Sequence, residues 1–239
     1  MENFWDQLVG TQSAPEPWML VLSWSVALLL VFTPLWRITR NLITVVHEGG
    51  HALTAILWGR RISGIKLHSN TSGVTISSGK PYGLGVIFTT IAGYIAPALL
   101  GLGIQFMISW GRIFLSVLIL GVLLLGIFLS IRNFWGLIVT IPLLVGFYYL
   151  LQGAPEIQTL AILLIATFLV AASVKPIIEL QIQRMRGEAE DSDADQLAKL
   201  TFVIPGSLWV FIFFVISLAA NFATIYIQLA PLFSETSTP

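Results

Sequence analysis

The chain has 239 residues, of which 56% are hydrophobic and only 10% are charged. Soluble domains carry about 25% charged residues, so the composition excludes an ordinary soluble protein and indicates an integral membrane protein. The net charge is zero and no basic tail is present, which argues against a nucleic-acid partner. Cysteine is absent, so disulfides and thiolate ligands are excluded, and any metal has to be bound by His, Asp or Glu.

Apolar stretches of about 17–25 residues, the length needed to cross a bilayer, recur along the chain. They predict an all-α membrane protein with a single polytopic domain over residues 1–239. Six or seven transmembrane helices are expected, depending on whether the second stretch crosses fully. In chain order the candidate spans are Trp18–Trp36, Leu42–Trp58, Leu84–Trp110, Ile113–Ile131, Phe134–Leu151, Ile157–Val174 and Phe202–Leu229.

The second stretch contains His47-Glu48-Gly49-Gly50-His51, an H-E-x-x-H array. On a helix the two histidines lie one turn apart on the same face, so both can bind one Zn²⁺. Glu48 can accept a proton from the water that attacks a substrate. Such side chains are costly near hydrocarbon, which favours a functional site over a chance match. The two glycines allow either close helix contact or room for an extended substrate.

Residues 60–82 follow this stretch and are polar. Ile65 and Leu67 alternate with polar residues before a Ser/Asn/Thr/Gly-rich turn, and Val74 and Ile76 do so after it. This period of two predicts a short, membrane-associated β-hairpin. Its edge would pair with an extended substrate by strand addition, or the hairpin would be a plain interfacial connector.

Residues 175–200 form the second polar segment, which begins amphipathic and ends in an acidic run. Ser192 is suited to cap a helix that begins at Asp193. Four candidate spans separate this segment from the hairpin, so both are expected on the same membrane face. With seven crossings, nine basic residues would lie on that face and three, Arg37, Arg40 and Arg112, on the other. The positive-inside rule then places the hairpin in the cytoplasm.

A catalytic zinc usually has three protein ligands and one open position, so the two histidines need a partner. Helical phase favours Asp193, which aligns with Leu197 and Leu200 on the apolar face of its helix. A helix start shifted by two residues would favour Asp195 instead. The other histidine and carboxylates are expected in solvent or on the wrong face: His68, Glu156, Glu179 and Asp191.

The chain resembles the M50 family of intramembrane zinc metalloproteases, the site-2-protease-like group, and in particular its short bacterial M50B-like members. The residues that carry the likeness occur in order over most of Leu42–Trp209. They are Val46-His47-Glu48-Gly49-Gly50-His51-Ala52, Gly59, Ser72-Gly73-Val74-Thr75, Ala92-Gly93-Tyr94-Ile95-Ala96-Pro97-Ala98, Arg132-Asn133-Phe134-Trp135-Gly136, and Ser192 to Thr201 before Pro205 and Trp209.

The resemblance implies that His47 and His51 bind zinc, that Glu48 is the catalytic acid/base, and that an aspartate from a later helix completes the site. The Ser-Asp-Ala element points to Asp193 for that role. The chain departs from better-studied members because it lacks their Asn-Pro-Asp-Gly-type motif around this aspartate.

The function expected from these features is a zinc endopeptidase of the bacterial plasma membrane, which cleaves a transmembrane or membrane-associated protein within the lipid bilayer. One alternative is a zinc-binding polytopic protein without protease activity, such as a scaffold or regulator. The intact Glu48 argues against it. A transporter whose histidines line a pathway is the other alternative, and the scarcity of ionisable residues in the remaining spans argues against that.

Overall fold

The computed structural model describes residues 10–189 and 191–234, together with Trp5 and Leu8. Both ends of the predicted domain, residues 1–4 and 235–239, lie outside the described residues, as does Glu190 of the acidic run. The elements in chain order are α1 (Pro17–Phe32), α2 (Trp36–Leu57), β1 (Arg61–Leu67), β2 (Gly73–Ser78), α3 (Leu84–Ser109), α4 (Ile113–Ser130), α5 (Phe134–Leu151), α6 (Pro155–Ala172), α7 (Val174–Met185), α8 (Asp193–Thr201) and α9 (Gly206–Ser234).

The fold is that of an all-α membrane protein with one antiparallel hairpin, β1–β2, after the second helix. Within the described residues, five helical segments are long and apolar enough to cross a membrane: α3, α4, α5, α9, and α6 with α7. The last of these runs over 31 residues from Pro155 to Met185. It therefore continues past the predicted end at Val174 into the segment expected to be polar.

The first two predicted spans differ most from the structure. α1 ends at Phe32, and α2 begins at Trp36 instead of Leu42, with a bend of 103° between the two helices. Pro34 lies in the break and cannot continue a helix with normal hydrogen bonds. α2 also carries arginine, histidine and threonine side chains along one face, so it is amphipathic and unsuited to lipid on all sides.

Contacts at the two ends of the bundle give the order of the crossings. At one end, the Gln12 amide donates to the Gly111 carbonyl, so the chain before α1 meets the α3–α4 turn. At the other end, Lys175 donates to the Val31 carbonyl at the end of α1, and Ile65 of the hairpin pairs with Ile131. We infer that α1 crosses and that α2, which leads directly into the hairpin, does not. Six crossings result.

This arrangement changes the distribution of positive charge. Arg112 lies at the α3–α4 turn, while the other eleven of the twelve Lys and Arg residues lie at the hairpin end. The expectation from seven crossings was nine against three, because Arg37 and Arg40 were counted on the opposite face. Since α2 does not cross, both join the hairpin end. The positive-inside rule therefore points more strongly to a cytoplasmic hairpin.

The hairpin packs along α2 and is held on one edge by the chain itself. Ile65 and Leu67 of β1 are fully buried against α2 and Ile131. The Asn133 side chain makes two hydrogen bonds to the backbone of β1. Its oxygen accepts from the Leu67 amide at 3.1 Å, and its nitrogen donates to the Leu67 carbonyl at 2.6 Å. The outer edge of β2 pairs with no other strand in the described part of the chain. Only β2 therefore offers a free edge.

The hairpin and the α7–α8 segment should be accessible from the same membrane face. The chain has no cysteine, so Lys66→Cys and Arg186→Cys can be labelled one at a time with a membrane-impermeant maleimide. Both positions are exposed at the hairpin end, whereas Glu156 is exposed at the other end. We expect Lys66→Cys and Arg186→Cys to react from one side of oriented vesicles and Glu156→Cys from the opposite side. Labelling of Lys66→Cys and Arg186→Cys from different sides would contradict the six-crossing topology.

Candidate metal centre and catalytic cleft

Two segments far apart in the sequence bring three ligand-type atoms together. His47 and His51 project from one face of α2, and their Nε2 atoms lie 3.1 Å apart. Oδ2 of Asp193, the first residue of α8, lies 3.2 Å from each of these nitrogens. Among the described residues, these three side chains form the group of His, Asp and Glu that could hold a metal ion.

The geometry of this cluster fits zinc. In a tetrahedral site with bonds of about 2.0–2.1 Å, neighbouring ligand atoms are about 3.3 Å apart, close to the observed 3.1–3.2 Å. Two imidazole nitrogens and one carboxylate oxygen are a common set for a catalytic zinc with an open position. His51 Nδ1 lies 2.7 Å from the Thr89 carbonyl and donates to it, so a neutral His51 carries its proton on Nδ1 and leaves the Nε2 lone pair free to bind a metal.

The N-terminal cap of α8 and the packing of this helix determine the position of Asp193. Ser192 caps the helix, as the sequence predicts, with its hydroxyl accepting from the Asp195 amide. Ala194 and Leu197 are fully buried and hold α8 against α9. Burial alone would raise the pKa of Asp193. The charge of a protonated His51 and hydrogen bonds from both imidazoles outweigh this effect and hold the pKa well below its usual range. The side chain is therefore a carboxylate, the form that binds metal.

The other candidates for a third ligand lie away from the cluster. Asp195 pairs with Arg184 and the Ser192 hydroxyl, so its carboxylate serves the start of α8. Glu179 is bound to Arg40 and Trp36. The remaining three are exposed, at the hairpin turn, at the opposite end of the bundle and beside Lys199: His68, Glu156 and Asp191.

Glu48 lies next to the cluster and is held by the hairpin. Its side chain is almost fully buried, with 3% exposure. The Thr75 hydroxyl of β2 donates to Glu48 Oε2 at 2.7 Å. A Cβ atom on Gly73 would lie 2.6 Å from Glu48 Oε1, so only glycine allows this approach. The hairpin thus fixes the orientation of the carboxylate. Gly73 and Thr75 belong to a motif that carries the family resemblance, but their contact with Glu48 is visible only in the structure.

Close packing of α2 on α3 brings the histidines to their positions. A Cβ atom on Gly50 would lie 2.5 Å from Ala96 Cβ and 2.9 Å from the Ala92 carbonyl oxygen. Gly49 faces Ile127 in the same way. Both glycines therefore serve close helix contact, which is one of the two roles expected for them. On α3, a Cβ atom on Gly93 would lie 2.3 Å from His51 Nε2.

A cleft of about 650 Å³ opens beside His47 and Glu48, between the hairpin turn and the α7–α8 segment. Hydrogen bonds join the hairpin turn to α2 beside this cleft: Arg40 donates to the Thr71 hydroxyl and Thr44 to the Thr71 carbonyl. The cleft thus joins the two segments that were expected on one membrane face. Its further lining residues include Asn70, Ser72, Gly73, Tyr94, Pro176, Leu180, Gln183, Gly187, Glu188 and Ser192.

A family model described as Peptidase M50B-like matches residues 20–224, most of the chain. The chain belongs to the Peptidase M50B-like family. The matched range of this M50B-like chain includes α2, the hairpin and α8, and so contains every residue of the cluster together with Glu48. Membership of a peptidase family supports a protease. No curated protein and no solved structure gave a significant match.

The cluster should be sensitive to a single methyl group on α3. We expect Gly93→Ala to displace the imidazoles and to lower the affinity for added Zn²⁺ by at least about tenfold, which is the loss typical when the groups that orient metal ligands are disturbed. Gly103→Ala is the matched control, because nothing lies within 4 Å of a Cβ atom there. Zinc affinity is measured by chelator competition in detergent. Equal affinities in the two variants would contradict the close approach of α3 to the histidines.

Proposed function

We propose that this M50B-like peptidase is a zinc-dependent endopeptidase, which hydrolyses a peptide bond of a membrane-embedded or membrane-adjacent protein. One observation carries the proposal: two imidazole nitrogens and a carboxylate oxygen converge within 3.2 Å of one another beside a buried glutamate. His47, His51 and Asp193 would hold the zinc, and Glu48 would be the catalytic base.

Zn²⁺ held by these three residues would supply Lewis acidity, which polarises a scissile carbonyl and makes water a stronger acid. Glu48 accepts a proton as the water oxygen adds to the carbonyl carbon. It then passes that proton to the amide nitrogen as the C–N bond breaks, which leaves a carboxylic acid and an amine. The hydrogen bond from Thr75 to Oε2 keeps the Glu48 carboxylate in one orientation through both transfers.

The surroundings of Glu48 suit an extended substrate backbone. β2 passes directly beside Glu48, and its outer edge is unpaired in the described residues. An extended peptide that pairs with this edge gains main-chain hydrogen bonds whatever its side chains are. A transmembrane helix would have to unwind locally to do so. The substrate we propose is therefore a membrane-embedded or membrane-adjacent protein segment that can become extended in the cleft.

A purely structural zinc site explains these features less well. Structural sites are usually closed by four protein ligands, whereas this cluster supplies three. Glu48 also makes no contribution to such a site, although burying a carboxylate costs several kcal/mol unless it is paired. Its position beside His47 in the same cleft is accounted for by a role in proton transfer.

The decisive variant is Glu48→Gln. The amide is nearly isosteric and is not a ligand of the cluster, but it cannot accept a proton from water. We expect this variant to bind zinc normally and to lose cleavage of a transmembrane-peptide substrate by about 10³-fold or more. Glu156→Gln, at the opposite end of the bundle, should cleave like the unmodified chain.

Cleavage is measured in detergent with and without a chelator. Comparable rates for Glu48→Gln and the unmodified chain would rule out this mechanism. Chelator-insensitive cleavage would rule out zinc dependence.

A further inference from the structure

Tyr94 lies beside the His47–His51–Asp193 cluster, and it has no role in the mechanism proposed above. It follows Gly93 on α3, and its ring meets the His47 ring edge-on with centroids 4.8 Å apart. On its other side it stacks on Phe213 at 5.2 Å. Phe213 is completely buried and belongs to the core that also holds α8. The phenol ring is thus fixed on two sides, while the residue lines the cleft.

The hydroxyl of Tyr94 is a free donor. It has no hydrogen-bond partner among the described residues, and its oxygen atom is not fully buried. It therefore opens to the cleft, which His47 and Glu48 also line. A half-buried tyrosine hydroxyl normally has a protein partner. A rigid phenol with an unused donor beside a catalytic-type cluster is suited to bind something that enters the cleft.

Three other side-chain donors close to Glu48 and Thr71 already have partners. The Arg40 guanidinium is bound to Glu179 and to Thr71. The Thr44 hydroxyl donates to the Thr71 carbonyl, and the Thr75 hydroxyl is bound to Glu48. Tyr94 differs from these donors because its ring contacts His47 and its hydroxyl has no partner among the described residues, so it is available to a substrate.

Peptide hydrolysis creates a need for such a donor. When water adds to the scissile carbonyl, the carbonyl oxygen gains negative charge, and a preorganised hydrogen-bond donor stabilises that charge more than it stabilises the neutral substrate. A donor of this kind raises kcat and leaves KM almost unchanged.

We propose that Tyr94 is a catalytic residue whose hydroxyl donates a hydrogen bond to the scissile carbonyl oxygen as water adds to the carbonyl carbon. The proposal rests on the proposed endopeptidase function. The phenol keeps its own proton throughout. Its contacts with His47 and Phe213 hold the donor in place before the substrate arrives, so little reorganisation is needed during the reaction.

The test is Tyr94→Phe, which removes the hydroxyl and keeps both ring contacts. We expect kcat to fall about 100-fold, the loss typical of one such donor, with KM changed less than about twofold and zinc content unchanged. A peptidyl phosphonate, which mimics the charged tetrahedral state, should lose affinity by a factor similar to that in kcat. Tyr149→Phe is the matched control, because Tyr149 is 68% exposed at the opposite end of the bundle.

Three results would overturn the proposal: an unchanged kcat in Tyr94→Phe, a rise in KM alone, or a loss of zinc that accounts for the lost activity. A lower kcat with unchanged phosphonate affinity would also contradict it, because the hydroxyl would then not bind the developing charge. Failure of the endopeptidase function is seen separately, as an unmodified chain that shows no zinc-dependent cleavage or a Glu48→Gln variant that cleaves normally. Either of those results removes the Tyr94 proposal as well.

Discussion

Two imidazoles and two carboxylates lie close together within a helical bundle that is largely apolar, and burying such groups is costly unless each is paired. The structure supplies a partner for every one of them. Asp193 meets both histidines, His51 also meets the Thr89 carbonyl, and Glu48 is bound by Thr75. These partners come from α3, the hairpin and α8, so the burial of one polar cluster determines how elements distant in sequence must pack.

The bend between α1 and α2 is what makes this packing possible. A second helix that crossed the membrane in parallel with the first would separate its histidines from the hairpin. Instead α2 turns by 103° and carries the hairpin alongside it. The same bend moves Arg37 and Arg40 to the hairpin end, where Arg40 binds Glu179 of α7 and the hairpin turn. Topology and site geometry are therefore two consequences of one local feature.

Much of this fold is encoded in local patterns. The H-E-x-x-H spacing puts two histidines on one helical face, the alternation in residues 60–82 gives the hairpin, and Ser192 caps α8 where the sequence predicts it. The sequence did not predict the bend between α1 and α2, because hydropathy gives the length of an apolar stretch but not the direction of its helix. Thr75 and Tyr94 were missed as site residues, because their roles arise from contacts with Glu48 and His47 across 27 and 47 positions of the sequence. No pattern within one element reports such contacts.

In the proposed zinc site, Asp193 completes the ligand set with the two α2 histidines. Metal analysis of purified protein, compared across single aspartate variants, tests it most directly. We expect about one zinc per chain in the unmodified protein. We expect loss of most zinc in Asp193→Ala, because two histidines alone bind zinc weakly, and near-normal zinc in Asp191→Ala and Asp195→Ala. Normal zinc in Asp193→Ala, together with loss in Asp195→Ala, would contradict it.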